Sequence, residues 1–313
     1  MRRVTDSAVT ILFFAIPSIM LLLGFYFFPF PLSEMQKTII LIPLFGGLFL
    51  LFFGYLFDSL KKAGLLRTSG WILFSFYWAT QPSTLYWYEN QDLINAVICI
   101  LGVYVLFYFA YKEWFNPSKC LNWIAGASAI AGLIYFIMDK ISVLRDALIS
   151  IVAQQSAAIL SLFSDKVLVD GNMIWFGHNY EMLQQNASYG ATAQIIFACT
   201  AIQSMLLFVG MISALKVKPL PKIYALLATV PTIYVLNLIR NAGVIFLVGA
   251  GITDMNIAHN YIGKIGSLVA LIVLVFVVFK ILPELQKQIL CIFDLYKSKG
   301  PLERFLGNLG KRI

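Results

Sequence analysis

The chain has 313 residues, 60% of them hydrophobic and 12% charged, with a formal charge of +8 and a mean hydropathy of +0.83. Soluble proteins carry about 25% charged residues, so this composition excludes an ordinary soluble protein and points to a polytopic membrane protein. The positive charge follows from lysines and arginines collecting on the cytoplasmic side of membrane proteins, so it calls for no nucleic-acid partner.

Eight apolar segments predict an all-α fold of about eight transmembrane helices, at 8–28, 38–57, 71–88, 92–111, 121–138, 191–215, 223–248 and 257–281. The first follows Arg2 and Arg3 as a signal peptide would, but its length and the lack of a small-residue cleavage site mark it as a retained span. Gln81 and Pro82 interrupt the third near its end. Residues 139–190 form the longest stretch outside the spans. It opens on an amphipathic segment, 141–164, expected to lie at the membrane interface, and continues as a loop containing Gly, Asp and Asn. The tail, 281–313, is expected to be a cytoplasmic amphipathic segment. No internal repeat is visible, and 1–313 reads as a single membrane-embedded domain.

An even number of spans puts both termini on one side. Lys61, Lys62, Arg67, Lys112, Lys119, Lys216, Lys218 and Lys222 fall in the loops on that side, which marks it as the cytoplasm. The stretch 139–190 is then extracytoplasmic. It holds the only glycosylation sequon, Asn186-Ala187-Ser188, although such triplets also arise by chance.

Three polar islands interrupt the apolar spans. In the sixth span, at about 100° per residue, Thr192, Cys199 and Gln203 share a helical face, which must look into protein or a polar cavity. In the seventh, Asn237 and Asn241 flank Arg240 and are expected to orient its guanidinium. In the eighth come His259 and Asn260, with His259, Gly263, Gly266 and Ala270 on one face whose small residues admit a neighbouring helix. The predicted topology puts Cys199 roughly 12 Å below the outer edge, with Arg240 and His259 in the same half of the membrane. Each residue also has a plainer use. A lone cysteine in a membrane helix is usually a small hydrophobe. An arginine can tie helix-end carbonyls, and a histidine near the interface can snorkel. Arg240 is the least ordinary, since an arginine inside a span costs at least roughly 2.5–3.5 kcal/mol on insertion scales.

Taken together the three residues suffice for acyl transfer. A thiolate is the nucleophile, and a nearby cation favours it. An imidazole can take the thiol proton and later protonate a leaving amine. A guanidinium can stabilise an oxyanion where water is excluded. The other cysteines fit less well: Cys120 and Cys291 are expected in the cytoplasm, and Cys99 has no charged neighbour at its depth. The four cysteines show no paired spacing, so no disulfide framework, metal site or cofactor is expected.

At these residues the chain resembles the exosortase/archaeosortase family of membrane-embedded cysteine transpeptidases, most like its archaeosortase A subgroup. The resemblance rests on Ala198-Cys199-Thr200 continuing to Gln203-Ser204-Met205, on Asn237 with Leu238-Ile239-Arg240-Asn241, and on His259 at the head of the last span. Trp71, Tyr77-Trp78, Gln81-Pro82 and Tyr111-Lys112-Glu113-Trp114 add to it, and it covers roughly 70–280. It implies that Cys199 is the nucleophile, Arg240 the family's invariant arginine and His259 a position held by Arg or His, here a general acid/base. Asn237, Asn241 and Gln203 are supporting residues, and His178 is a reserve base. The subgroup usually has Gly where this chain has Ala201. The resemblance further implies a substrate, the C-terminal sorting signal (short motif, transmembrane helix, basic cluster) of secreted surface proteins. Cleavage would occur on the outer face, with a membrane lipid as acceptor.

Two other classes remain open. A transporter or channel using Arg240 for an anionic solute predicts repeated halves, broken helices and a midplane site. A non-catalytic membrane assembly protein predicts that Cys199→Ser is silent.

Overall fold

The structure is a computed structural model, and it describes residues 2–59, 62–88, 93–185 and 190–309. The sequon 186–188 and Lys61 lie outside the described residues, as does the side chain of Asn260. In chain order the elements are α1 (Arg2–Phe27), α2 (Glu34–Ile39), α3 (Leu41–Leu56), α4 (Ala63–Ala79), α5 (Pro82–Tyr88), α6 (Leu93–Phe115), α7 (Lys119–Lys140) and α8 (Ser142–Ser161). Next come β1 (Val167–Asp170), β2 (Met173–Phe176), α9 (His178–Gln184), β3 (Ala193–Gln194), a 3-10 turn (Phe197–Thr200), α10 (Ile202–Ser213) and α11 (Pro219–Gly249). A π-helical segment (Ile257–Gly263) leads into α12 (Lys264–Ile281), and α13 (Pro283–Phe293) and α14 (Pro301–Leu309) close the described chain.

The protein is an all-α polytopic membrane protein. Among the described residues seven helices are long and apolar enough to cross a bilayer. Individual spans differ from the expectation in three places. The third predicted span is two helices, α4 and α5, because the residue before a proline is pushed out of the helical region and the break falls just ahead of Pro82. The segment expected at the interface is α8, a 20-residue helix that is itself apolar enough to span. The sixth predicted span is not one helix: 193–194 is strand, 197–200 a 3-10 turn, and only Ile202–Ser213 is α-helical.

Two compact units divide the chain, Met1–Leu133 with Gln286–Ile313, and Ile134–Leu285. In the first, several groups assigned to loops are buried. Arg67 lies inside α4, 4% exposed. Its Nε donates to Glu113 Oε1 at 2.7 Å, and its Nη1 donates to Gly54 O, Asp58 Oδ1 and Asn122 Oδ1 at 2.8, 3.0 and 3.0 Å. Lys112 is fully buried in α6, with Nζ 2.6 Å from both Glu303 Oε1 and the Ser298 carbonyl. The Tyr108 and Tyr111 hydroxyls donate to the same Glu303 carboxylate at 2.9 and 3.1 Å. Arg304 pairs with Asp6 at 2.8 Å. The C-terminal segment is therefore tied to α6 by a buried charge pair and to α1 by a more exposed one. Cys120 and Cys291 form a disulfide (S–S 2.06 Å). This corrects the expectation of no disulfide framework: the partners are 171 residues apart, a separation at which sequence spacing carries no signal.

The second unit holds the polar islands of the sixth to eighth predicted spans. Its core joins α8, the hairpin and α11 through Val152, Leu160, Ile174, Phe176, Ile195, Leu238 and Ile245. The hairpin β1–β2 turns on Gly171-Asn172, with Gly171 at φ +58°. A positive φ at the first of two central residues suits the right-handed twist of paired strands, and glycine adopts it without steric cost. β3 pairs with β2, Ile174 opposite Ala193 and Met173 opposite Gln194. The Thr192 hydroxyl donates to Phe176 O at 3.1 Å and accepts from Phe176 N at 2.9 Å. Residues 192–195 are thus stitched to the hairpin as a third strand instead of continuing a helix.

Candidate active site

The extended segment ends at Ile196, and the next four residues, Phe197–Thr200, form a single 3-10 turn carrying Cys199. Its closure is local. Cys199 N donates to Ile196 O at 2.8 Å, and the buried Thr200 hydroxyl donates to Phe197 O at 2.7 Å. Ala201 follows at φ 62°, ψ 0°, a left-handed conformation, and α10 starts at the next residue with no side-chain cap. Thr192, Cys199 and Gln203 therefore do not form the expected helical stripe, because the strand and the turn break the phase between them. The Gln203 amide donates to the Tyr135 hydroxyl at 3.0 Å, tying α10 to the end of α7.

Asn237 and Asn241 sit one turn apart on α11. Neither bonds the guanidinium. Both amides donate to one atom, the carbonyl oxygen of Cys199, at 2.8 and 3.0 Å. The expectation that they orient Arg240 is corrected accordingly: at i and i+4 they share a helical face, and the Cys199 turn packs against it.

Cys199 is a half-buried free thiol. It lines a cavity of about 260 Å³ together with His259, Asn241, Val244, Ile245, Met255 and the strand residues 193–196. Cys99, the other free thiol, is buried, with Sγ 3.4 Å from the Trp78 carbonyl. Arg240 lines a second cavity of about 280 Å³ with Ala201, Ser204, Asn237, Gly263, Gly266, Ser267 and Ala270. Val244 borders both cavities. The Arg240 guanidinium lies within electrostatic reach of His259. Its Nε is buried and has no hydrogen-bond partner among the described residues. A Cβ on Gly263 would stand 3.0 Å from that nitrogen, so the glycine makes the room the side chain occupies.

His259 lies in the π-helical segment, which starts under Asp254: Ile257 N donates to the Asp254 carboxylate at 2.8 Å. An i→i+5 stretch shifts the helical phase by about one residue, roughly 100°. Gly263, Gly266 and Ala270 keep their common face on the Arg240 cavity, while His259 turns to the Cys199 cavity. His178, the reserve base, opens α9 and lines neither cavity. Among the described residues no group of His, Cys, Asp and Glu is arranged to hold a metal ion.

Sequence reasoning missed the twin amides on the Cys199 carbonyl, the strained Ala201 and the hairpin that fixes the approach to Cys199. A signal for the hairpin was present: Val167-Leu168-Val169-Asp170-Gly171-Asn172-Met173-Ile174-Trp175-Phe176 is two apolar runs about a Gly-Asn pair. The π turn has no comparable signature.

The fold and site define a helical membrane protein with Cys199, a free thiol, and His259 on one cavity, and on the next an arginine whose Nε has no hydrogen-bond partner among the described residues. The model of the transmembrane exosortase family (EpsH type) matches residues 43–279. The chain belongs to that family. It is 24% identical over 198 residues to Archaeosortase A of Natronomonas pharaonis, covering 59% of this chain and 58% of that one. It is 25% identical over 195 residues to Archaeosortase A of Haloferax volcanii, covering 59% of this chain and 63% of the relative. The chain thus spans less than two thirds of the length of these curated relatives. No solved structure matches.

Proposed function

We propose that the protein is a membrane-embedded cysteine transpeptidase that cleaves the C-terminal sorting signal of secreted surface proteins at the extracytoplasmic side, its two termini lying in the cytoplasm. The observation that carries this reading is the shared cavity: Cys199, a free thiol, and His259 line the same space, whereas Cys99 is buried against the Trp78 carbonyl. Family membership and the two Archaeosortase A relatives support the class of substrate.

In this reading His259 takes the Cys199 proton and the sulfur attacks the scissile carbonyl carbon. The oxyanion of the tetrahedral intermediate is stabilised by the Arg240 charge from the adjoining cavity and by the uncapped first N–H groups of α10. The C–N bond then breaks, the leaving amine takes the proton from His259, and an acyl thioester remains on Cys199. A second nucleophile, a membrane-lipid hydroxyl or amine, attacks the thioester and returns the thiol. No metal or cofactor enters these steps, and Gln203 supports the site through its hydrogen bond to Tyr135.

The test is processing of a host surface protein that ends in a motif, a transmembrane helix and a basic cluster. Cys199→Ser is expected to leave the protein in the membrane and reduce processing to background, while Cys99→Ala processes normally. Normal processing by Cys199→Ser would refute the reading.

A further inference from the structure

Ala201 is the one described residue other than glycine at positive φ. For an L-residue that conformation is disfavoured by about 5- to 30-fold. It survives only where the surroundings over-determine it. Relaxation of Ala201 to right-handed φ would let α10 run back through the 3-10 turn and carry Cys199 round the helix axis.

What opposes this is at the Cys199 carbonyl. A carbonyl oxygen has two lone pairs, and here both are taken, by Asn237 and Asn241 at 2.8 and 3.0 Å. Both donors stand on α11, so a long helix fixes the Cys199–Thr200 peptide plane two residues ahead of the strained position. Thr200, fully buried, closes the turn from within through its bond to Phe197 O. In an ordinary helix the Cys199 carbonyl would accept from the backbone four residues on, so its present partners and the helical alternative exclude each other.

We propose that Asn237 and Asn241 are positioning residues: a two-amide clamp on the Cys199 carbonyl keeps Ala201 left-handed and so holds the thiol on the cavity it shares with His259. The functional meaning of the clamp rests on Cys199 being the nucleophile; the clamp itself does not.

The test uses the full-length protein in detergent or native membranes, with Cys99→Ser so that Cys199 is the one titratable thiol. The readout is the rate of Cys199 alkylation by N-ethylmaleimide between pH 6 and 9. Asn237→Ala with Asn241→Ala is expected to move that rate about fivefold or more and to change its pH profile. Ala201→Gly added to this pair is expected to bring both back toward the parent, because glycine holds the turn without a clamp. Asn237→Leu alone, which nearly keeps the volume, loses the donor and adds no charge, gives a smaller shift of the same sign and serves if the double variant does not accumulate. An unchanged rate in the clamp variants overturns the proposal, as does an altered rate that Ala201→Gly fails to restore. A silent Cys199→Ser in the processing assay would sink the enzyme reading while leaving these rates to decide the clamp.

Discussion

Replacing Ala201 by glycine discriminates between a straight membrane helix through Cys199 and the broken element seen here. In a helix interior Ala→Gly costs about 1 kcal/mol in propensity, and loss of a buried methyl adds about 0.8 kcal/mol. Ala225, fully buried in the second turn of α11, supplies that control, and Ala225→Gly is expected to lose about 1–2 kcal/mol. Ala201 is also buried, at 8% exposure, so the methyl term is similar. At φ 62°, however, the alanine carries about 1–2 kcal/mol of left-handed strain that glycine does not. The two effects nearly cancel, and Ala201→Gly is expected within about 0.5 kcal/mol of the parent. Thermal unfolding of purified protein in one detergent reads the difference, at about 2–4 °C per kcal/mol. Ala225→Gly should melt several degrees lower than Ala201→Gly. Equal losses at the two positions would refute the left-handed assignment, and with it the strain on which the clamp acts.

Further outcomes follow from the first unit. Arg67→Ala strands the buried Glu113 carboxylate and is expected to cost about 3–5 kcal/mol, whereas replacing Arg67 and Glu113 together by Met and Leu should cost much less; denaturant unfolding of both variants checks this. Under denaturing, non-reducing conditions two of the four thiols should titrate, and Cys120→Ser should raise that count to three. At Glu303 burial raises the carboxyl pKa, but hydrogen bonds from Lys112 and Tyr108 outweigh it and leave the group below the ordinary carboxylate range. A depressed pKa contributes stability that is present above the unfolded value of about 4.3 and is lost as pH falls through the folded value. Hydrogen-exchange protection in α14, taken relative to the intrinsic rate at each pH, should therefore fall on acidification below about pH 4.5, and Glu303→Gln should show the reduced protection already at pH 7.

Much of the framework is legible in the chain because bilayer thickness sets helix length and composition alone reports it. The polar islands are legible for a related reason, since Arg240 and His259 stand out only against apolar surroundings. What the sequence hides is register. The apolar run 191–210 has the length and hydropathy of a span, yet Thr192 bonds across to Phe176 and Asn172 exchanges hydrogen bonds with Ile195, and these distant partners win the segment for the sheet. Local pattern also cannot say which acceptor a side-chain amide will choose, so Asn237 and Asn241 read as neighbours of Arg240 and act instead on Cys199. Lys112 and Arg67 read as loop charges because their partners, Glu303 and Glu113, are remote in sequence. Ala201 is a further case: an alanine carries no signal for the left-handed backbone found at this position, which only the surrounding structure imposes.

The enzyme reading is tested most directly by trapping the covalent intermediate. Protein incubated with a host substrate ending in motif, helix and basic cluster is quenched in acid, digested and weighed by mass spectrometry. The account predicts an acyl adduct on the peptide containing Cys199, removable by hydroxylamine and absent from Cys199→Ser. Processing that proceeds with Cys199 unmodified, or an adduct carried by another residue, would contradict it.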